Sequence, residues 1–127
     1  MNPFKAVKDF HIKYKQDVDK EITEERINLR WDLIDEECLE VFQEVEPYLF
    51  KELKYKGINK QNLTKELADL IYVTIGMAVT FGLPLEEVYT RIHNANMTKN
   101  GGFNENGKIL KGDGFVPAEV GDLFDKE

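Results

Sequence analysis

Apolar positions recur along most of this chain at intervals of three and four, the spacing that gathers them on one side of an α-helix. Phe4, Val7, Phe10 or His11, and Tyr14 follow it after Pro3, a residue suited to a first helical turn, and predict a short helix over residues 3–15. "KQDVDKEIT" is a polar connection. A longer helix is expected from about Glu24, with Trp31, Ile34, Cys38, Val41, Phe42 and Val45 on one side and Pro47 ending or kinking it. "YLFKELKYKG" suits another short helical turn, and the asparagines of "INKQN" are suited to capping the helix that follows. That helix is expected over residues 60–81, stopped by Gly82 and Pro84 of "FGLP". Pro84 opens the next, whose stripe is Leu85, Val88, Ile92 and Ala95.

After Asn96 the periodicity stops. The tail is rich in glycine and asparagine and reads as a loop or arm, in which "KIL" and "GFV" are the only segments suited to a small hairpin. The expected fold is all-α, a four- to five-helix bundle-like domain with a mostly irregular C-terminal arm. A single domain spans residues 1–127, with its core over about 3–98 and the arm over 99–127.

Composition narrows the partners. A net charge of −7 disfavours a nucleic-acid polymer or an anionic membrane, and leaves room for small anions at local basic patches. The lone Cys38 excludes an internal disulfide and a cysteine-based zinc site, and suits a reducing cytoplasm. The N-terminus lacks the apolar run of a signal peptide, and the apolar stretch Leu67 to Leu85 is broken by Asp69, glycines, threonines and Pro84. Neither secretion nor membrane insertion is expected.

Chemistry enters with the acids. "LIDEECLEVF" carries Asp35, Glu36, Glu37 and Glu40, and "KELADLIYV" carries Glu66 and Asp69. At about 100° per residue, Glu37, Glu40 and Glu44 lie along the edge of the apolar side while Glu36 projects further round. Glu37 with Glu40, and Glu66 with Asp69, are neighbours one turn apart, so each pair is able to aim at one point. Acids on a helix ordinarily mean a solvated face. Here, however, the second pair heads a helix that is apolar nearly all round, where an ionised carboxylate needs a cation. Two such pairs facing each other form a nest of hard oxygen donors suited to Mg²⁺ or Mn²⁺. A di-iron site asks for Glu-x-x-His on two helices, and neither His11 nor His93 follows a glutamate at that spacing.

"RWDLIDEECLEVF", "KELADLIYVTIGMA" and "RIHNANMTKN" together resemble the all-α nucleoside triphosphate pyrophosphohydrolase superfamily, the MazG-like group that includes phosphoribosyl-ATP pyrophosphohydrolase and the dimeric dUTPases. Its hallmark is Glu-Glu-x-x-Glu on one helix and Glu-x-x-Asp on the next, matched here by Glu36, Glu37 and Glu40, and by Glu66 and Asp69. The resemblance implies Mg²⁺-dependent cleavage of a nucleoside or deoxynucleoside triphosphate between its α and β phosphates, giving a monophosphate and pyrophosphate. Phosphoribosyl-ATP is the alternative substrate.

By that resemblance Glu37, Glu40, Glu66 and Asp69 are metal ligands, and Glu36 or Glu37 acts on the attacking water, Glu36 being otherwise a further ligand. Asn96 and Lys99 resemble the family's Asn-x-x-Lys phosphate element, and Lys108 and Lys111 of the arm join them as substrate-binding groups. Arg30 pairs with a carboxylate or a phosphate. Tyr72 and Trp31 are of the right type to stack on a base, although helical spacing favours core for both, and Cys38 reads as a small core residue. Exposed apolar surface on the 60–81 helix, together with the resemblance, implies a homodimer or homotetramer. Readings of a different class are a non-catalytic helical interaction module and a divalent-cation sensor or store.

Overall fold

A computed structural model describes residues 1–50 and 57–124. Its elements are helices α1 (Pro3–Lys13), α2 (Glu24–Leu49), α3 (Lys60–Phe81) and α4 (Leu85–Asn96), and a 3₁₀ turn (Gly121–Leu123). The described residues are therefore all-helical, as the periodicity requires. The chain divides into two compact units, Met1–Leu83 and Pro84–Glu127.

In the first unit, α1 and α2 both pack on α3. The helix starts are set by side-chain caps. Asn2 accepts from the amides of Phe4 and Lys5, Thr23 from Arg26, and Asn59 from Asn62 at 3.0 Å. Each satisfies amide donors that a first turn leaves without a helical partner. α3 ends at Gly82, whose φ of +63° is the left-handed conformation that glycine adopts without a Cβ penalty. The connection from α1 to α2 is tied to that end of α3, with Asp19 and Lys20 donating to the carbonyls of Val79 and Thr80 at 3.1 and 2.7 Å.

Several expectations are corrected. Pro47, expected to end or kink α2, lies in its last turn, and the helix closes two residues later, where Phe50 donates to Glu46. A proline there forfeits only its own N–H bond and leaves the amides that follow free to pair. Pro84 is the cap of α4 instead of its first residue, with Val88 donating to its carbonyl. The short helical turn expected in "YLFKELKYKG" falls largely outside the described residues. Trp31, expected in the core, is 55% exposed, Cys38 is exposed, and Tyr72 is 40% exposed. Periodicity puts these residues on a common face, but whether another element covers that face is a tertiary matter.

Polar groups occupy part of the interior instead. Val7, Ile75 and Ala78 are buried beside His11, Arg30 and Thr80. The carbonyl of Asp17 accepts from His11 Nδ1 at 2.8 Å, Gln16 Oε1 accepts from Arg30 Nη2 at 3.1 Å, and the Thr80 hydroxyl donates to Gly76. Both His11 and Arg30 approach Gly76 of α3, where a Cβ would meet His11 Nε2 at 3.4 Å and Arg30 Nη1 at 3.6 Å, an ordinary contact.

The second unit holds α4 and the arm. Arg91 joins them, donating to Glu87 on its own helix, to the Glu119 carbonyl and to both carboxylate oxygens of Asp122. In the arm "KIL" pairs with "GGF" and not with "GFV". A single antiparallel bridge links Phe103 and Ile109, while Leu110 donates to Gly102 and accepts from Gly101. Asn100 holds the base of this turn, donating to Asp113 and accepting from the Gly114 amide.

Candidate metal centre

The carboxylates of interest are presented by two rigid helices. Glu37 and Glu40 sit on α2, and Glu66 and Asp69 sit on α3, each pair one turn apart and both pairs set in the α2–α3 seam. Each of the four residues offers one carboxylate oxygen, and these oxygens all lie within 4.8 Å of one another. Glu37, Glu40 and Glu66 are half-buried and Asp69 is exposed, so the cluster opens to solvent at one side.

Two oxygens define its interior. Glu37 Oε2 and Glu66 Oε2 are sheltered from solvent and have no hydrogen-bond partner among the described residues. A sheltered carboxylate oxygen without a donor is costly, and so are like charges at this spacing. The Glu66 carboxyl is pushed above the ordinary value of 4.5, first by a hydrogen bond shared with Glu40, then by burial and by the charges of Glu40 and Asp69, with Lys65 pulling the other way.

The donor set fits a small hard divalent cation. Oxygens on opposite sides of a Mg²⁺ shell lie about 4.2 Å apart, so a cluster spanning 4.8 Å needs only small side-chain adjustments to close on one ion. All the donors are carboxylate oxygens, as Mg²⁺ and Mn²⁺ prefer. The ion would also supply the missing partner of Glu37 Oε2 and Glu66 Oε2.

Glu36 stands apart: it is exposed, and it does not belong to the convergent set. This is the orientation that helical geometry requires, because 100° of rotation carries it away from its neighbour Glu37. Arg30, one turn before the acidic motif, turns into the interior and bonds the amide oxygen of Gln16. Burial pulls its pKa down, while the nearby charge of Asp17 raises it. Among the described residues it bridges no carboxylate; Asp17 itself is bridged by Arg26 at 3.0 Å.

Asn96, Lys99, Lys108 and Lys111 belong to the second unit. Asn96 is the last residue of α4, and its carbonyl accepts from the Lys99 amide at 3.2 Å, so the Asn-x-x-Lys element is one local turn. Lys108 follows Gly107 in the tip of the arm, and the Lys111 ammonium lies 5.3 Å from the centre of the Phe115 ring. The helical stripe of α1 admits either Phe10 or His11. The structure buries His11 and exposes Phe10, which stacks edge-on against Tyr72. No sequence signal separates the two adjacent rings, because either satisfies the helical period.

The family described as phosphoribosyl-ATP pyrophosphohydrolase matches residues 7–96, a span that contains most of α1 and all of α2, α3 and α4, and with them every carboxylate of the cluster. No curated protein matches the chain.

Proposed function

From the premise that this chain belongs to the phosphoribosyl-ATP pyrophosphohydrolase family, we propose that it hydrolyses the anhydride between the α and β phosphates of a nucleoside or deoxynucleoside triphosphate, releasing a monophosphate and pyrophosphate. The family's activity is hydrolysis of a phosphoric anhydride. The observation that carries the reading to this chain is the convergence of Glu37, Glu40, Glu66 and Asp69.

In this reading those carboxylates hold Mg²⁺, with Mn²⁺ as a substitute. Bound there, the cation supplies charge to offset what develops on phosphate oxygens. The remaining work falls to the chain. Glu36 or Glu37 orients a water and takes its proton as the new P–O bond forms and the bridging P–O bond breaks. Asn96, Lys99, Lys108 and Lys111 bind phosphate oxygens, for which lysine ammonium and amide N–H groups are apt donors. The exposed Leu39, Phe42 and Ile71 support assembly as a homodimer or homotetramer. The lone cysteine suits the cytoplasm. Among the described residues no helix is long and apolar enough to cross a membrane.

Phosphoribosyl-ATP is a second substrate reading, favoured by the family's own description. It is cleaved at the same α–β anhydride, so the test is a panel. Pyrophosphate release is measured with Mg²⁺ over canonical and modified nucleoside triphosphates and phosphoribosyl-ATP, beside Glu37→Gln. Release by the native chain, reduced at least about 100-fold in the variant, supports the assignment, and the best substrate decides between the two readings. No release from any substrate, with Mg²⁺ leaving thermal stability unchanged, returns the acids to a solvated helix face and the protein to a helical interaction module. Stabilisation by Mg²⁺ without turnover identifies a cation sensor or store.

A further inference from the structure

The row that carries the acids on α3 does not stop at Asp69. Glu66, Asp69 and Tyr72 follow one another at steps of three, so Tyr72 is the next side chain along the same ridge, about 4.5 Å further along the axis. Its neighbour there is an aromatic group from another helix. Phe10 on α1 meets Tyr72 edge to face, with ring centres 5.5 Å apart and planes at 86°, and Phe10 in turn packs on Tyr14 at 4.8 Å.

This cluster is held firmly from behind yet left open in front. His11, next to Phe10, is buried against Gly76, which lies one turn beyond Tyr72, so the α1–α3 contact that places Phe10 is anchored in the interior. Phe10, Tyr14 and Tyr72 are nevertheless 43, 54 and 40% exposed. Phe10 thus joins two rings, Tyr14 and Tyr72, that stay open to water, and Tyr72 follows Asp69 of the metal cradle by one turn; such a surface calls for a flat apolar ligand. Lys13 lies 5.3 Å from the centre of the Tyr14 ring and brings positive charge to its rim, which suits a ligand that is also an anion.

We infer that Tyr72, positioned by Phe10, is the stacking surface for the nucleobase of a substrate whose phosphates lie at Glu37, Glu40, Glu66 and Asp69. The inference rests on the pyrophosphohydrolase reading of that site and adds to it the element that grips the base. Stacking uses the π-face that every base possesses, so this surface tolerates different bases and favours the larger purine rings by contact area. Tyr72 touches the ligand, whereas Phe10 acts by holding the Tyr72 ring.

The test is equilibrium binding to the full-length protein in Mg²⁺ of two non-hydrolysable probes, α,β-methylene-ATP and the base-free methylenediphosphonate. Oligomeric state is followed by sedimentation. Stacking contributions imply that Tyr72→Leu weakens the methylene-ATP complex by roughly 5- to 100-fold and Phe10→Leu by a smaller factor. Tyr72→Phe retains the affinity, and methylenediphosphonate binds all the proteins equally. Unchanged methylene-ATP affinity in Tyr72→Leu overturns the inference while leaving the metal-phosphate reading intact. A change of oligomeric state with equal loss of both probes also overturns it, and assigns the rings to a subunit interface. Failure of the native protein to bind methylenediphosphonate with Mg²⁺ removes the phosphate site itself, and the inference with it.

Discussion

Glu66 on α3 and Glu40 on α2 bring carboxylate oxygens within 4.8 Å of each other, and this crowding of acids helps to raise the Glu66 carboxyl above its ordinary value. The α2–α3 seam thus crowds acids together. Glu66→Gln replaces one of them with a neutral amide of the same shape. In EDTA the variant is expected to melt at a higher temperature than the native chain, because a like-charge contact is gone. Adding Mg²⁺ reverses the order: the native protein gains about 2.7 kcal/mol at one hundred times the dissociation constant, and the variant gains far less. Melting both proteins with and without Mg²⁺ checks the two signs in one experiment, and equal Mg²⁺ stabilisation of both would remove Glu66 from the ligand set.

The end of α3 is a second testable point. Gly82 has φ +63°, and a Cβ built on it would lie 2.9 Å from Asp19 Oδ1 in the connection pinned to the helix end. Gly82→Ala combines a left-handed alanine with that clash, and a cost of about 1–3 kcal/mol is expected. Chemical denaturation measures it. Gly82→Asn, which tolerates the left-handed region better, should fall between the two.

Lys99 offers a kinetic test of the phosphate donors. Lys99→Ala is expected to raise KM for the nucleotide about tenfold, by loss of a charge-assisted contact, without altering Mg²⁺ stabilisation of the protein. Identical KM values for the native chain and the variant would take Lys99 out of the substrate site.

Acid should loosen the arm. The Arg91 guanidinium holds the Asp122 carboxyl below its ordinary value of 3.8, so the pair favours the folded arrangement above that value and loses its effect as the pH falls through the lowered one. Arg91 is held charged by the same contact, its pKa raised by Asp122 and then by Glu87. Amide exchange at Leu123 and Phe124, which bond the carbonyls of Val120 and Gly121, reports the local opening. Asp122→Asn is expected to exchange faster than the native chain at neutral pH and to become indistinguishable from it in strong acid. A difference that persists there would mean the arm is held by something other than this ion pair. Asp122 is exposed and Arg91 half-buried, so the effect is modest and weakens with added salt.

Much of this protein is local and hence readable. The starts of α2 and α3, the stop at Gly82 and the one-turn spacing within each acid pair depend on residues three or four apart, and short-range rules determine them. The exposed Glu36 beside the half-buried Glu37 follows from the same rotation. Pro47 falls in the last turn of α2, two residues before its end, because how far a helix runs past a proline depends on more than the proline itself. "KIL" found "GGF" as its partner because Asn100 closes the turn through Asp113 and Gly114, contacts separated by more than ten residues.

What the sequence determined by itself is periodicity: four helices, their caps, and two pairs of carboxylates each aligned on one helix face. Only the tertiary structure decided that α2 and α3 pack so that these pairs meet within 4.8 Å. It also decided that His11 and Arg30 go inside, while Trp31, Cys38, Phe10 and Tyr72 stay in contact with solvent. The physical reason is that a helical period ranks the faces of one helix, whereas burial depends on which other helix lies against each face.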